Sequence, residues 1–245
     1  MGFLSDLKIL YHMTMKPIRG ADHAARLESF YAGQADAYDD FRKRLLKGRE
    51  ELWNTIPFPD QGRWIDMGGG TGANIDFFGE RVEQLSEVQI VDLSPSLLRI
   101  AKQRIEERKW SNVFVVEADA TTYQPEGDGV DVVTFSYSLT MIPDWFAAID
   151  NALAMLKPGG VIGVVDFYVS RKHPPDGLKR HRWFTRSFWP IWFAYDNVFP
   201  NRDHGPFLHR KFEPLSFEEC RAKVPYMPFL RTPYYQFIGR KSVSP

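Results

Sequence analysis

The chain has 245 residues, with 31 Lys and Arg balanced by 31 Asp and Glu, and 44% of its residues are hydrophobic. That is enough for one large α/β domain around a single core, and a formal charge of zero offers no global field to gather nucleic acid. The lone cysteine, Cys220, excludes an internal disulfide and a cysteine-rich zinc site and fits a reducing compartment such as the cytoplasm; no apolar run reaches the ~18 residues of a membrane span.

At the N-terminus, Met1 to Lys8 lacks a basic leader and is broken by charges, so it does not read as a signal peptide. Asp6 stands where a myristoylation signal wants Ser or Thr. Phe3, Leu4, Leu7, Leu10 and Tyr11 recur at helical spacing and predict a short amphipathic helix, which packs on the core, serves as a lid or lies in a lipid interface. A second helical region is expected from about Ala24 to Trp53, with Tyr31, Ala35, Tyr38 and Arg42 on one face and Arg49 two turns beyond Arg42.

Trp64 to Met67 then reads as a buried parallel strand ending at Asp66 and turning through Gly68, Gly69, Gly70, Thr71 and Gly72. The pattern is Asp-x-Gly-x-Gly-x-Gly. It lacks the final glycine of the dinucleotide fingerprint and the Gly-Lys-Ser/Thr of a phosphate loop. An acidic strand end also suits a ligand with a cationic or amine end better than a pyrophosphate. A helix from Asp76 to Leu85 follows, then a strand, Val88 to Leu93, that carries Asp92 at its end. At that distance from the glycines a carboxylate can accept both hydroxyls of a ribose.

Ser94 and Pro95 start a helix running through Ile105. Val113 to Val116 is the third strand, and Glu117, Ala118, Asp119 and Ala120 follow it. Val130 to Ser136 is the fourth, with an exit through Met141. A helix, Trp145 to Leu156, closes at the turn Lys157-Pro158-Gly159-Gly160, and Val161 to Tyr168 is the fifth strand. Near the end, Ser216 is expected to cap a short helix through Cys220, and Pro233 to Arg240 to form the last strand. This alternation predicts an α/β, doubly wound parallel sheet.

The glycine motif, Asp92, Asp119 and the Lys-Pro-Gly-Gly turn resemble class I S-adenosylmethionine (SAM) methyltransferases, over roughly Tyr31 to Tyr168 and the last strand. The resemblance implies SAM as cofactor and a Rossmann-like, mostly parallel seven-stranded sheet whose last strand is antiparallel. It divides one domain into a helical cover (1–55), a SAM-binding core (56–168), a substrate-cap insertion (169–214) and a C-terminal helix and strands (215–245). It also implies the contacts. Tyr31, Tyr38 and an arginine, Arg44 before Arg49, hold the SAM carboxylate; Asp66, Gly68, Gly70 and Gly72 form the cradle; Asp92 takes the ribose. Leu93 packs on the adenine, Asp119 with Ala120 meets the adenine edge, and Ser136 begins the segment beside the transferred methyl.

Between Ser170 and Pro214, basic residues and large aromatics interleave, most densely from Lys179 to Tyr195. Such a stretch can pack as a helical cap, stack single-stranded nucleic acid, sit at a lipid interface or hold a methylated ammonium. Zero net charge and the absence of an RNA-binding appendage argue against nucleic acid. The segment Arg26 to Arg49, with Val165 to Ser170, resembles the methyltransferase component of betaine-lipid synthesis. That resemblance implies N-methylation of a membrane-borne amine, diacylglyceryl-homoserine, with peripheral membrane contact and a separate aminocarboxypropyl transferase. Tyr137, Asp166 and Tyr168 are candidates for the acceptor side, and His204 and His209 for orienting the headgroup or taking its proton. The alternatives are C-methylation of a prenylated quinone precursor, methylation of phosphatidylethanolamine, and a non-catalytic SAM-binding partner subunit.

Overall fold

The computed structural model describes residues 23–31, 44–195, 197–225 and 227–243. The predicted N-terminal helix at residues 3–11 and Tyr38 lie outside them. In chain order the structure runs α1 (His23–Tyr31), α2 (Arg49–Thr55), β1 (Arg63–Met67), a 3-10 segment (Ile75–Gln84), β2 (Glu87–Asp92), α3 (Pro95–Arg108), β3 (Val113–Glu117) and β4 (Val130–Ser136). It continues with a short 3-10 turn (Leu139–Met141), α4 (Trp145–Met155), β5 (Leu156–Phe167), α5 (Trp183–Ala194), α6 (His204–Lys211), β6 (Glu213–Val224) and β7 (Met227–Arg240).

The strands form one seven-stranded sheet in the order β3-β2-β1-β4-β5-β7-β6. β1 to β5 are parallel, and β7 is inserted antiparallel between β5 and β6. Parallel strands are covered on both faces, and β1 shows the consequence: Trp64 to Met67 are all buried, with Trp64 in one core cluster and Ile65 and Met67 in the other. Trp64 stacks on Trp53 of α2 at 5.1 Å and meets Phe78 edge-on at 4.8 Å. On the opposite face Ala148, Ile149 and Ala152 of α4 join the cluster of Ile65 and Met67. The chain winds from β1 to β3 in one direction and resumes at β4 on the other side of β1, so a crevice opens at the carboxyl ends of β1 and β4.

Four local expectations are corrected. The helix expected from Ala24 to Trp53 is broken at Gly48, whose φ of 85° is left-handed; a Cβ there would lie 2.5 Å from Cε2 of Tyr234. The segment after the glycine turn is 3-10 rather than α, and it kinks at Gly79 (φ 56°, ψ −134°). The Lys157–Gly160 turn is absorbed into the start of β5. The helix expected from Ser216 to Cys220 is part of β6, which pairs with β7 from Glu213 opposite Arg240 to Val224 opposite Met227. Pairing along the length of β7 there overrides local capping preference. The insertion after β5 folds as two helices, α5 and α6.

Candidate cofactor and active site

The first turn after β1 is built from left-handed backbone: Gly68, Gly70 and Gly72 have φ of 64°, 58° and 69°. A Cβ on Gly68 would sit 2.4 Å from Cβ of Ser138, and one on Gly72 would sit 2.7 Å from Cδ1 of Ile90. Gly68 and Gly69 donate their N–H groups to the carbonyl of Val91 at 2.8 and 3.1 Å. The Gly70 N–H donates to Oδ2 of Asp92 at 2.9 Å, and the Ser94 N–H to Oδ1 at 2.9 Å. The carboxylate at the end of β2 thus pins the glycine turn.

These residues edge a cavity of ≈ 230 Å³ at the switch point. Gly68, Gly70, Asp92, Leu93, Asp119, Ala120 and Tyr137 line it, all expected from the sequence. Both side-chain hydrogen bonds of Asp119 among the described residues fall on Oδ1, from the N–H and the hydroxyl of Thr121 at 2.8 and 2.7 Å, and none falls on Oδ2. The order of the sheet separates two ends. Asp92 and Asp119 stand beyond β2 and β3, while Tyr137, Met141, Ile142 and Asp144 stand beyond β4. Leu27 of α1 closes over the cavity as well.

Tyr137 is the strained member of this wall. Its φ of 57° is left-handed, uncommon for a bulky residue, and such strain persists only where the surroundings over-determine it. Here the hydroxyl donates to the carbonyl of Lys47 at 2.6 Å, the N–H donates to the carbonyl of Val165 at 2.8 Å, and the ring packs 4.6 Å from that of Phe167. Burial pushes the phenol pKa well up, so the side chain is a neutral wall rather than a base.

Other expected residues lie elsewhere. Asp66 is fully buried beneath the turn: Thr134 Oγ1 donates to its Oδ1 at 2.8 Å and Asn74 Nδ2 to its Oδ2 at 2.9 Å. Asn74 Oδ1 in turn accepts from a terminal nitrogen of Arg49 at 3.1 Å. Arg49 is buried in a relay to the glycine turn, whereas Arg44 is exposed before Gly48. Tyr31 ends α1, and its side chain lies outside the described residues. Gly72 packs against β2 rather than lining the cavity. Ser136 is also outside the lining; its Oγ accepts from the indole N–H of Trp53 at 3.2 Å, and Ser138, two residues on, lines the cavity instead.

The acceptor-side candidates other than Tyr137 are corrected too. Asp166 is fully buried under the Leu139–Met141 turn, accepting from the Thr140 hydroxyl at 2.6 Å, the Thr140 N–H at 3.1 Å and the Phe167 N–H at 2.7 Å. Burial outweighs these bonds and lifts its carboxyl to about 7. It positions the turn that carries Met141 and does not face the cavity. Tyr168 donates its hydroxyl to Glu219 at 2.7 Å on another side of β5; burial first, then that carboxylate, raise its pKa. His204 is fully buried against the ring of Trp145 at 4.6 Å, and burial depresses its pKa to about 3. His209 bonds through Nδ1 to the carbonyl of Gly205 at 2.8 Å and packs on Phe217 and Phe237. Neither histidine lines the cavity.

One latch had no sequence signal. Glu28 of α1 accepts from the Ser94 hydroxyl at 2.8 Å, the Ser96 N–H at 3.3 Å and the Ser96 hydroxyl. A carboxylate at the N-terminus of α3 also meets its dipole favourably. Although burial acts to raise the Glu28 pKa, these bonds outweigh it, and the pKa is lowered.

A model of the ubiE/COQ5 methyltransferase family matches residues 31–190. The ubiquinone/menaquinone biosynthesis C-methyltransferase UbiE of Ectopseudomonas mendocina is 27% identical over 186 residues, 74% of this chain and 72% of that protein. The UbiE of Shewanella piezotolerans is 24% identical over 162 residues, so the chain spans 64% of the length of that relative. Among solved structures, phosphoethanolamine N-methyltransferase 2 of Haemonchus contortus in complex with S-adenosyl-L-methionine aligns over 92% of this chain and 61% of that one, with a TM-score of 0.69 at 16% identity. The N-methyltransferase NodS of Bradyrhizobium japonicum aligns over 84% of this chain and 98% of that one, with a TM-score of 0.56 at 16% identity. At such identities the two structures speak for the fold alone. The family model covers β1 to β5 and the whole glycine turn, and the chain belongs to the ubiE/COQ5 methyltransferase family, whose cofactor is SAM.

Proposed function

We propose that this chain methylates a ring carbon of a prenylated quinone precursor. The observation that carries the cofactor half is the cavity at the switch point, with a glycine cradle that a Cβ on Gly68 would obstruct and carboxylates placed for a nucleoside. Asp92 would take the ribose hydroxyls, Leu93 and Ala120 the faces of the adenine, and Asp119 its amino group. Arg49, through Asn74 and Asp66, would set the turn against the amino-acid end. SAM bound there supplies an electrophilic methyl group on a sulfonium.

On the other side of the cavity, Tyr137, Met141 and Ile142 present a largely apolar wall suited to a flat ring. Excluding water and holding the acceptor in line account for much of the rate that such a site can supply. A ring carbon becomes nucleophilic as its neighbouring hydroxyl loses a proton. Asp144 lines that end, with Oδ1 engaged by the Ala147 N–H at 3.1 Å at the start of α4, and its second oxygen can take that proton.

The acceptor reading rests on the relatives, which are named for ubiquinone and menaquinone biosynthesis rather than for betaine lipids. The homoserine-lipid reading keeps the sequence resemblance over Arg26 to Arg49 as its support, and the separate aminocarboxypropyl transferase belongs to that reading alone. The test is incubation of the full chain with methyl-labelled SAM and, in parallel, a detergent-dispersed prenylated quinone precursor, diacylglyceryl-homoserine and phosphatidylethanolamine. Label on the ring carbon is expected. Label on an amine with none on the ring overturns the reading, and saturable SAM binding with no label anywhere indicates a non-catalytic partner.

A further inference from the structure

Helix α5 is apolar on both of its faces. Its inner face packs into the core through Trp189 and Phe193, 4% and 5% exposed. Its outer face leaves Phe184, Ile191 and Tyr195 exposed by 57%, 65% and 71%, with Trp183 at 73% where the helix begins. Phe184, Phe188, Ile191 and Tyr195 follow the spacing of one helical stripe, and the rings of Phe184 and Phe188 stack at 5.1 Å. A contiguous aromatic stripe on a surface helix marks a contact surface.

The charge beside the stripe selects the occupant. Residues 171–195 hold six Lys and Arg against one Asp. Arg171 is paired with Asp203, and Lys179 meets Glu219. Lys172, Arg180 and Arg182 are exposed and make no ion pair with any described residue. Exposed aromatics led in the chain by cations without an ion pair among the described residues match the boundary of an anionic bilayer, where rings sit at headgroup depth and cations on phosphates.

The inner face of the same helix runs to the cavity. Phe193 stacks on Phe167 at 4.5 Å, and Phe167 packs on Tyr137, which lines the cavity. Just past the helix, the Phe199 N–H donates to the carbonyl of Thr140 at 2.8 Å, beside Met141 of the cavity wall. We infer that the outer face of α5 docks on the surface of an anionic lipid bilayer, setting the cavity above a membrane-borne acceptor. The docking deepens the proposed function by naming where the acceptor is met. It is measured without SAM or acceptor, so its failure and that of the methylation reading can be told apart.

The test is co-sedimentation of the full chain with vesicles of phosphatidylcholine alone and with phosphatidylglycerol added. Binding to the anionic vesicles, weakened by salt, is expected. Phe184→Ser with Ile191→Ser and Tyr195→Ser should lower the partition coefficient at least about tenfold. Arg180→Glu with Arg182→Glu should lower it by about fivefold or more for each cation removed. Phe114→Ser, an exposed aromatic on the opposite edge strand, should leave it unchanged. An unaltered circular dichroism spectrum and melting temperature show that each variant is folded. The inference is overturned if the parent ignores anionic vesicles, if the α5 variants bind them as the parent does, or if the stripe variant instead converts a dimer to a monomer. It is equally overturned if deleting residues 1–22 uncovers the only vesicle binding, which would make the N-terminal segment the occupant of the stripe.

Discussion

Gly68 is where the site is least tolerant of a side chain. Its left-handed φ of 64° costs an L-residue roughly 1–2 kcal/mol, and the added carbon would meet Ser138 at 2.4 Å. Gly68→Ala should lower the melting temperature by a few degrees and weaken SAM binding by more than about tenfold. Thermal denaturation and calorimetry check both, and full affinity in a folded variant would remove the turn from the site. His204 makes the second residue-scale prediction. Both its ring nitrogens are buried with no hydrogen-bond partner among the described residues, and burial lowers its folded pKa to about 3 from the ordinary 6.5 of an imidazole. Between those values the unfolded chain binds a proton that the folded chain does not, so the contribution of His204 to stability falls by about 1.4 kcal/mol per pH unit as pH drops below roughly 6.5. Asp166, lifted to about 7, acts in the opposite direction, stabilising the fold less as pH rises from about 4 to 7. His204→Phe cancels only the histidine term. Urea unfolding should show the variant gaining on the parent at pH 5 relative to pH 8, and an equal difference at both would contradict the buried neutral imidazole.

At the scale of elements, α1 closes the cavity through Leu27 and is held by Glu28 at the start of α3. Glu28→Ala removes charge-assisted bonds at a helix N-terminus. It should weaken SAM binding by roughly threefold to tenfold, chiefly through faster release. Stopped-flow displacement reads that rate, and an unchanged rate would make α1 a cover without a latch. The latch was not legible in the sequence, because Glu28 and Ser94 are far apart in the chain and Ser94 reads there only as the start of a helix. The glycine turn, Asp92 and Asp119 were legible because their geometry is local: positive φ and acidic strand ends within one winding unit. The preference for Arg44 over Arg49 rests on the family resemblance alone, and helical phase cannot place either arginine across Gly48, where the left-handed backbone resets it. Asp166 was misplaced for a different reason. Strand alternation gives a face, but not the turn that later folds over it. The stretch after Ser170 showed its aromatics and cations plainly but not which ones face inward, so Trp189, at 4% exposure, is a poor probe of any surface and Ile191 a good one.

For the whole molecule, the sheet order β3-β2-β1-β4-β5-β7-β6 does the sorting: the carboxylates of Asp92 and Asp119 fall on one side of the switch point and the wall of Tyr137, Met141 and Ile142 on the other. The strand–helix alternation predicts a doubly wound parallel sheet and the family resemblance its antiparallel last strand, but neither gives β6 or the length of β7, which the pairing of those two strands with each other extends beyond β5. Among the described residues no helix is long and apolar enough to cross a membrane. The central claim is that the cavity binds SAM through the carboxylate that pins the glycine turn. Isothermal titration of the full chain with SAM, beside Asp92→Ala, tests it most directly. Saturable one-to-one binding is predicted for the parent, weakened by about tenfold or more in the variant as the ribose loses a charged acceptor; no saturable heat from the parent, or equal affinity in both, would contradict it.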